Sequence, residues 1–241
     1  MQAPDNSGSL FYNYKGTYSI VLLELVDANY KFIYIDVGCN GRISDGGVFS
    51  NSSLFDKLEK KTIPILCAEP LPGRNMPVPY CLVGDDAFAM KSYLLKPYPY
   101  RDQPAPNRIF NYRLSRARRT VENSFGILAN RFRVLRKPML LKPDTITDIV
   151  LSICVLHNYI LSGNESAYLG NGMIDSEDAE NRDVTLGFWR DEGNPENSFF
   201  PLERGKRNSS TTSQKNMRDE FKDYFMTTEG EVDWQYRHIA T

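Results

Sequence analysis

Three acidic residues lie where they could bind a divalent cation. Asp85 follows the apolar run "YCLVG" at the end of a predicted strand, where open α/β sheets place ligand sites. Asp45 lies in a glycine-flanked loop, and Glu122 lies on a long predicted helix. Mg²⁺ and Mn²⁺ prefer carboxylate oxygens, and a pair of such ions can promote displacement at a phosphodiester. The pattern therefore predicts a site for Mg²⁺ or Mn²⁺ with these three carboxylates as ligands.

The residues around Glu122 are strongly basic. Positions 108–137 carry nine lysines and arginines, and Glu122 is the only acidic residue among them. Such a concentration of positive charge is the electrostatic footprint of a protein that binds a phosphate backbone. We therefore predict that DNA is a partner. The predicted contacts are Arg113, Arg116, Arg118, Arg119, Arg131, Arg133 and Arg136.

Each of these residues also has an ordinary structural interpretation. Glu122 could pair with Arg118 or Arg119, one turn earlier on the same helix. Asp85 could be a turn residue, and Asp45 could be a turn residue or a helix cap. The basic stretch could be a solvated helix face. The residue types alone leave these alternatives open.

The composition argues against several other kinds of site. The chain has 241 residues, a formal net charge of −1 and only two histidines, too few for a histidine-rich metal site. Its four cysteines are scattered without a CxxC pair, so we expect reduced thiols rather than a zinc site or a disulfide framework. We find no apolar run of the roughly 18–20 residues that a membrane helix needs, and no secretory signal. No membrane partner is expected.

The first half of the chain predicts a hairpin and a short helix. The runs "TYSIVLLELV" and "YKFIYIDVG", joined by "DAN", are typical of two strands and a tight turn. The apolar first strand is expected to be central and covered on both faces. In the second strand, strict alternation predicts that Phe32 lies on the face opposite to Ile33 and Ile35. A serine is expected to cap the helix in "NSSLFDKLEKK".

Two longer helices are predicted next. The run "DTITDIVLSICVLHNYIL" is expected to form a core helix capped by Asp144, with His157 as a hydrogen-bonded core residue. Before it, a helix beginning near Asn107 is expected to bury one apolar stripe with steps of three and four residues. That stripe consists of Leu114, Ala117, Val121, Phe125, Leu128, Phe132 and Leu135.

The composition changes after Gly163. Positions 175–196 hold eight acidic residues against Arg182 and Arg190, which is typical of a solvated linker. We predict a domain at 1–165, an acidic flexible linker at 166–205 and a C-terminal helical segment at 206–241. The order of strands and helices predicts an α/β fold, a mixed sheet flanked by helices.

Several segments together resemble a known family. These are "YNYKGTYSIVLLELVDANYKFIYIDVGCNGRISDGGVF", "LVGDDAFAM", "LLKPY", "FNYRLSRARRTVENSFGILANRFRVL" and "VLHNYI". In this order they are similar to the DDE transposase domain of the PIF/Harbinger superfamily, which includes Harbinger transposase-derived nucleases. The resemblance covers roughly residues 8–161. It implies an RNase H-like fold, a divalent metal held by an Asp-Asp-Glu site, and cleavage or joining of DNA. It also implies a location in the nucleus, with the cytoplasm as a second location, and a separate Myb-like DNA-binding partner protein.

The resemblance assigns roles residue by residue. Asp85 matches the aspartate of a "GDSGY"-like element and Glu122 matches the final glutamate, which implies catalytic and metal-binding roles for both. Asp45 matches an aspartate of an "HDS"-like element that implies a metal contact. Departures occur at Ser44, where the family has histidine, and in "GDDAF", where the family has Ser, Gly and Tyr after the aspartate.

The family's first catalytic aspartate stands in a "DGTH"-like strand, and the 241 residues contain no such element. Without that carboxylate, we expect weakened metal binding and impaired hydrolysis. The domain is accordingly predicted to lack its first strand. One alternative is a non-catalytic DNA-binding or adaptor protein domesticated from a Harbinger transposase. Another is a different metal-dependent phosphoesterase, for which Asp36 would be the strand-borne candidate ligand.

Overall fold

The structure is a computed structural model that describes residues 1, 3–4, 6–178, 183–190 and 210–239; the side chains of residues 45 and 237–239 are outside this description. The chain divides into two compact units. Unit 1 contains residues 1–48 and 120–203, and unit 2 contains residues 49–119 and 204–241. The predicted segments at 1–165, 166–205 and 206–241 remain a prediction, and residues 191–209 lie outside the described part.

Unit 1 is built on a hairpin covered by a long helix. Its strands are β1 (Ile20–Val26), β2 (Phe32–Asn40), β7 (Ser176–Glu177) and β8 (Val184–Thr185), with both pairs antiparallel. Its helices are α4 (Pro143–Gly163), α5 (Glu165–Leu169), the 3₁₀ helices Arg133–Arg136 and Phe188–Arg190, and the second part of α3 (Ala105–Arg131). Helix α1 (Asp45–Ser50) begins in this unit.

Unit 2 holds the first part of α3 and a set of short elements. These are α2 (Ser53–Glu59), β3 (Glu69–Pro70), β4 (Pro77–Val78), β5 (Leu82–Val83), β6 (Leu94–Leu95), α6 (Thr212–Tyr224) and the 3₁₀ helix Asp233–Ile239. The pair β3–β4 is antiparallel and the pair β5–β6 is parallel. The predicted serine cap is confirmed, because Ser52 accepts a 3.1 Å hydrogen bond from the backbone of Phe55 at the start of α2.

The α/β class is confirmed, but the described residues do not form one mixed sheet. Their strands make four separate two-stranded sheets. Strand β1 pairs only with β2 among the described residues, so it is not the central strand that its apolar sequence predicted. Its apolar side chains pack instead against α4 and neighbouring residues in unit 1.

The hairpin is confirmed, and two irregularities change its pattern of faces. The register between the strands skips Ile33 and Gly38. Because a skipped residue shifts the alternation by one, Phe32 shares the core with Ile35 while Ile33 is 64% exposed. The predicted strict alternation was therefore wrong at Ile35. Gly38 has a φ of +109°, and a Cβ there would lie 3.0 Å from the Thr147 hydroxyl on α4, so glycine suits this bulge.

Helix α4 is a core helix on one side only. Its buried face packs against β2, and Asn158 both donates to and accepts from the backbone of Phe32. His157 is fully buried between the Tyr168 hydroxyl and the Tyr30 carbonyl, which confirms its predicted role. Burial lowers the pKa of His157, which favours the neutral imidazole. The predicted cap was wrong, since Lys142 is the N-cap and Asp144 lies inside the first turn after Pro143.

The opposite face of α4 is apolar and exposed. Val155, Leu156, Tyr159 and Ile160 lie there, and Tyr159 is 78% exposed. By length and composition alone, α4 could cross a membrane, contrary to the prediction that no segment could. A core helix of a soluble protein passes the same test, and one face of α4 packs in the core of unit 1. The absence of a membrane partner stays a prediction.

Helix α3 buries side chains in each unit. In unit 2, Phe110 and Leu114 pack with Leu95, and in unit 1, Leu128 packs with Phe32. The predicted stripe is confirmed at Leu114, Leu128 and Leu135, and it was wrong at Ala117, which is exposed. The stripe also omitted Ile109, Phe110 and Ile127, which are the most deeply buried apolar side chains before Leu128 on this helix.

One carboxyl group is buried without a partner. Glu24 lies on β1 between Leu22 and Val26, both of which pack against the core. Although the residue as a whole is partly exposed, both carboxylate oxygens are buried and have no hydrogen-bond partner among the described residues. Burial raises the pKa of Glu24 well above its ordinary value. Burial, together with the nearby Glu24, also raises the pKa of Cys154 to about 12.

We expect Glu24→Gln to raise the free energy of unfolding at pH 7 by about 1–3 kcal/mol. The carboxyl has a higher pKa in the folded chain than in the unfolded chain, so the wild type loses stability as the pH rises above about 4.3. The amide does not ionise and avoids this loss. Urea unfolding at pH 4 and pH 7 measures the difference, which should shrink towards pH 4.

Asp148→Asn is the control for Glu24→Gln, because Asp148 is an exposed carboxylate of α4. Its removal should leave the pH dependence of unfolding close to that of the wild type. Equal pH dependence for Glu24→Gln and the wild type would contradict a buried, unpaired carboxyl.

Candidate metal-binding carboxylates and basic surface

Asp85 lies in a turn of unit 2 immediately after β5. The parallel pair ends with a 2.9 Å hydrogen bond from the Gly84 amide to the Leu95 carbonyl. Asp85 then accepts a 2.9 Å hydrogen bond from the Ala87 amide, the bond expected of an aspartate in a turn. Its other oxygen lies 3.8 Å from a guanidinium nitrogen of Arg118, and about a third of its side chain (32%) is exposed. Asp85 is therefore both a turn residue and an ion-pair partner.

Glu122 lies in unit 1 and pairs with an arginine that the sequence did not single out. Its carboxylate is 53% exposed and lies 3.5 Å from a guanidinium nitrogen of Arg190. Arg190 also donates to both oxygens of Asp175, at 2.6 Å and 3.0 Å, and the Asp175 side chain is fully buried. The hydrogen bond to Asp175 raises the pKa of Arg190, so the guanidinium stays charged.

Arg190 belongs to a segment that packs on α3, which we call the docked segment (residues 173–178 and 183–190). The Trp189 indole donates a 3.0 Å hydrogen bond to the Asn123 side chain, and a Cβ on Gly126 would overlap the Trp189 ring. Gly126 of the "VENSFG" motif therefore permits the close approach of Trp189 to α3. Within the docked segment, Asp175 accepts a 2.8 Å hydrogen bond from the Gly187 amide. The prediction of an acidic flexible linker did not anticipate these contacts.

Asp45, the third predicted ligand, is the first residue of α1. Its side chain lies outside the described residues, so its direction is not assigned. Asp36, the alternative ligand, accepts a 3.3 Å hydrogen bond from the Tyr34 hydroxyl.

Asp85 lies in unit 2, Glu122 lies in unit 1, and the Asp45 side chain is outside the described residues. Within the ranges that the structure describes, no three His, Cys, Asp or Glu side chains group so that they could hold a metal ion. Asp85 and Glu122 have the right chemistry and are accessible, but each already faces a guanidinium. A cation at either carboxylate would have to overcome the repulsion of the arginine beside it.

Two of the predicted DNA-binding arginines are engaged within unit 2. The Arg113 guanidinium donates to the Gly230 carbonyl and lies 3.7 Å from the centre of the Phe225 ring. Burial lowers the pKa of Arg113. Arg116 lies 3.6 Å from the centre of the Trp234 ring. Both side chains therefore hold the C-terminal part of unit 2 against α3, and Arg118 pairs with Asp85 as described above.

The basic residues at the C-terminal end of α3 and just after it include more exposed side chains than Arg113 and Arg116. Arg131 is exposed and donates to the Tyr168 carbonyl, and Arg136 donates a 2.8 Å hydrogen bond to the Ala129 carbonyl. Arg133 is exposed, and Arg119 in unit 2 is partly exposed. DNA contact by these side chains stays a prediction.

We expect Gly126→Ala to lower the free energy of unfolding by about 1–3 kcal/mol, because the new methyl group overlaps the Trp189 ring. The matched control is Gly163→Ala at the end of α4, where a Cβ meets no atom within 4 Å. That change should leave stability unchanged or raise it by up to about 1 kcal/mol. Urea unfolding compares the two. Equal stabilisation by both substitutions would contradict the packing of Trp189 on α3.

Comparison with known proteins identifies the family of this chain. The family described as "DDE superfamily endonuclease" matches residues 1–158. "Protein ALP1-like" of Arabidopsis thaliana is 27% identical over 164 residues, which cover 67% of this chain and 40% of that protein. The mouse protein named "Putative nuclease HARBI1" is 27% identical over 164 residues, with 67% and 43% coverage, and its human counterpart is 26% identical.

The chain spans about two fifths of the length of these relatives. No solved structure matches it. The family match ends at residue 158, so it includes the hairpin, Asp85, α3 and most of α4, but not the docked segment. The chain belongs to the DDE superfamily endonucleases, and its predicted resemblance to the PIF/Harbinger group is confirmed.

Proposed function

We propose that this chain is the DNA-binding part of a transposase-derived DDE nuclease, with the basic stretch at 108–137 as its contact with the phosphate backbone. The observation that carries the proposal is the charge of this stretch, in which nine basic residues accompany a single acid. In unit 1, the exposed members are Arg131, Arg133 and Lys137. Each such side chain can neutralise one phosphate and release the counterions around it. This contribution to DNA binding is independent of the base sequence.

The proposed chemistry is metal-dependent cleavage or joining of phosphodiester bonds, as family membership supports. A divalent cation, Mg²⁺ or Mn²⁺, would supply activation of the attacking oxygen and stabilisation of the leaving oxygen. Asp85 and Glu122 would hold it, with Asp45 as a third ligand. The turn at Asp85 fixes that carboxylate through the Ala87 amide before any ion binds. The RNase H-like fold is part of the same proposal.

A second candidate is a non-catalytic DNA-binding or adaptor protein. It is favoured by the ion pairs at both carboxylates, Asp85 with Arg118 and Glu122 with Arg190. In both candidates DNA is the partner and the nucleus is the proposed location, with the cytoplasm as a second. A separate Myb-like partner protein remains a proposal that rests on the family alone.

We expect Arg133→Gln to weaken binding of a DNA duplex by about three- to tenfold near 150 mM salt, because one phosphate contact is lost. The slope of log affinity against log salt should fall in magnitude by about 1. Fluorescence anisotropy measures both quantities. Arg42→Gln is the matched control, since Arg42 is exposed, is hydrogen-bonded to Ser9 and does not belong to the basic stretch. Equal effects of the two substitutions would contradict a specific basic surface.

Incubation of the full chain with supercoiled DNA and Mn²⁺ separates the two candidates. The nuclease proposal predicts nicking that is lost in Asp85→Asn and in Glu122→Gln, with DNA affinity retained in both. Salt-dependent DNA binding without nicking would favour the non-catalytic candidate. Failure to bind DNA would contradict both.

A further inference from the structure

The docked segment lies beyond the family match and reaches the carboxylate that the family match singles out. Its last residue, Arg190, lies 3.5 Å from Glu122 and 2.6 Å from Asp175. The guanidinium of Arg190 thus contacts two carboxylates.

Arg190 is held in place independently of Glu122. Asp175 is fully buried, and it accepts two hydrogen bonds from the guanidinium in a bidentate arrangement. Removal of Arg190 would take this ion pair away from a buried carboxylate, which is costly. The guanidinium also lies 4.3 Å from the centre of the Trp189 ring, whose indole is hydrogen-bonded to Asn123 on α3. The positive charge therefore remains beside Glu122 as long as the segment stays docked.

We propose that Arg190 is an internal counter-cation of Glu122, and that the docked segment keeps divalent cations off this carboxylate. The inference rests on the proposed function, because Glu122 is there the carboxylate that holds the cation. It adds a form of control: the carboxylate becomes available when residues 183–190 leave α3. The contact with Glu122 is half-exposed, so its effect on cation affinity should be moderate, about three- to tenfold.

The test compares two variants of the full chain that differ only at position 190. Asp175→Asn removes the buried charge but keeps a side-chain oxygen that can accept from Arg190, and the Trp189 ring still packs on the guanidinium. The double variant Asp175→Asn/Arg190→Gln removes the guanidinium together with the buried charge that it pairs with. Circular dichroism checks that both fold. Isothermal titration with MnCl₂ then measures cation affinity without any assay of nuclease activity.

We expect the double variant to bind Mn²⁺ about three- to tenfold more tightly than Asp175→Asn. Addition of Glu122→Gln to the double variant should abolish this gain. The same exchange of charge at an exposed site of unit 1, Lys142→Gln, should leave the affinity of the wild type unchanged.

Equal affinity in the two variants, or a gain that survives Glu122→Gln, would overturn the inference. If the wild type binds Mn²⁺ through Glu122 as tightly as the double variant, only the inference fails and the nuclease proposal stands. If the double variant binds no Mn²⁺, the inference fails together with the metal-binding part of the proposed function. DNA binding through Arg133 is measured separately and is unaffected by that result.

Discussion

Helix α3 must bury apolar side chains in each unit although it also carries a run of arginines. The burial of the apolar side chains determines which protein groups these arginines contact. Its apolar residues, such as Phe110 in unit 2 and Leu128 in unit 1, are fully enclosed in their cores. The arginines between them then lie close to protein surfaces and find partners there. Arg113 and Arg116 stack on the rings of Phe225 and Trp234. A count of basic residues thus overstates how many are available to a phosphate backbone.

The same constraint shapes the surroundings of the candidate carboxylates. Asp85 and Glu122 are accessible, and each has an arginine within 4 Å. The pair at Asp85 is loose, because its turn already satisfies one oxygen through a backbone amide. The pair at Glu122 is backed by the buried Asp175, which fixes the arginine. A cation meets a different electrostatic environment at each residue, and the stronger obstacle lies at Glu122.

Local signals in the sequence predicted local structure well. The strand runs and their short turn indicated the hairpin, the serine at position 52 indicated the start of α2, and His157 was predicted as a core residue. Bulges at Ile33 and Gly38 were missed, because a skipped residue leaves no mark in a period-two pattern. Asp144 was misassigned as a cap because the preceding proline occupies the first position of the helix.

The site was less predictable, because its contacts join residues far apart in the chain. The alternative structural interpretation paired Glu122 with Arg118 or Arg119, but its described partner is Arg190, 68 positions away. Asp175 and Arg190 stood out only as charges in an acidic stretch. One signal was available: a tryptophan in a polar segment needs a packing partner, and Gly126 in the helix motif offers space for it.

Salt dependence of DNA binding by the unmodified chain tests the central claim most directly. We predict that fluorescence anisotropy of a labelled duplex reports binding whose log affinity falls linearly with log salt. With three to five phosphates neutralised, the slope should be about −2.7 to −4.5. A duplex that does not bind at low salt, or an affinity that is indifferent to salt, would contradict a phosphate-binding role for α3.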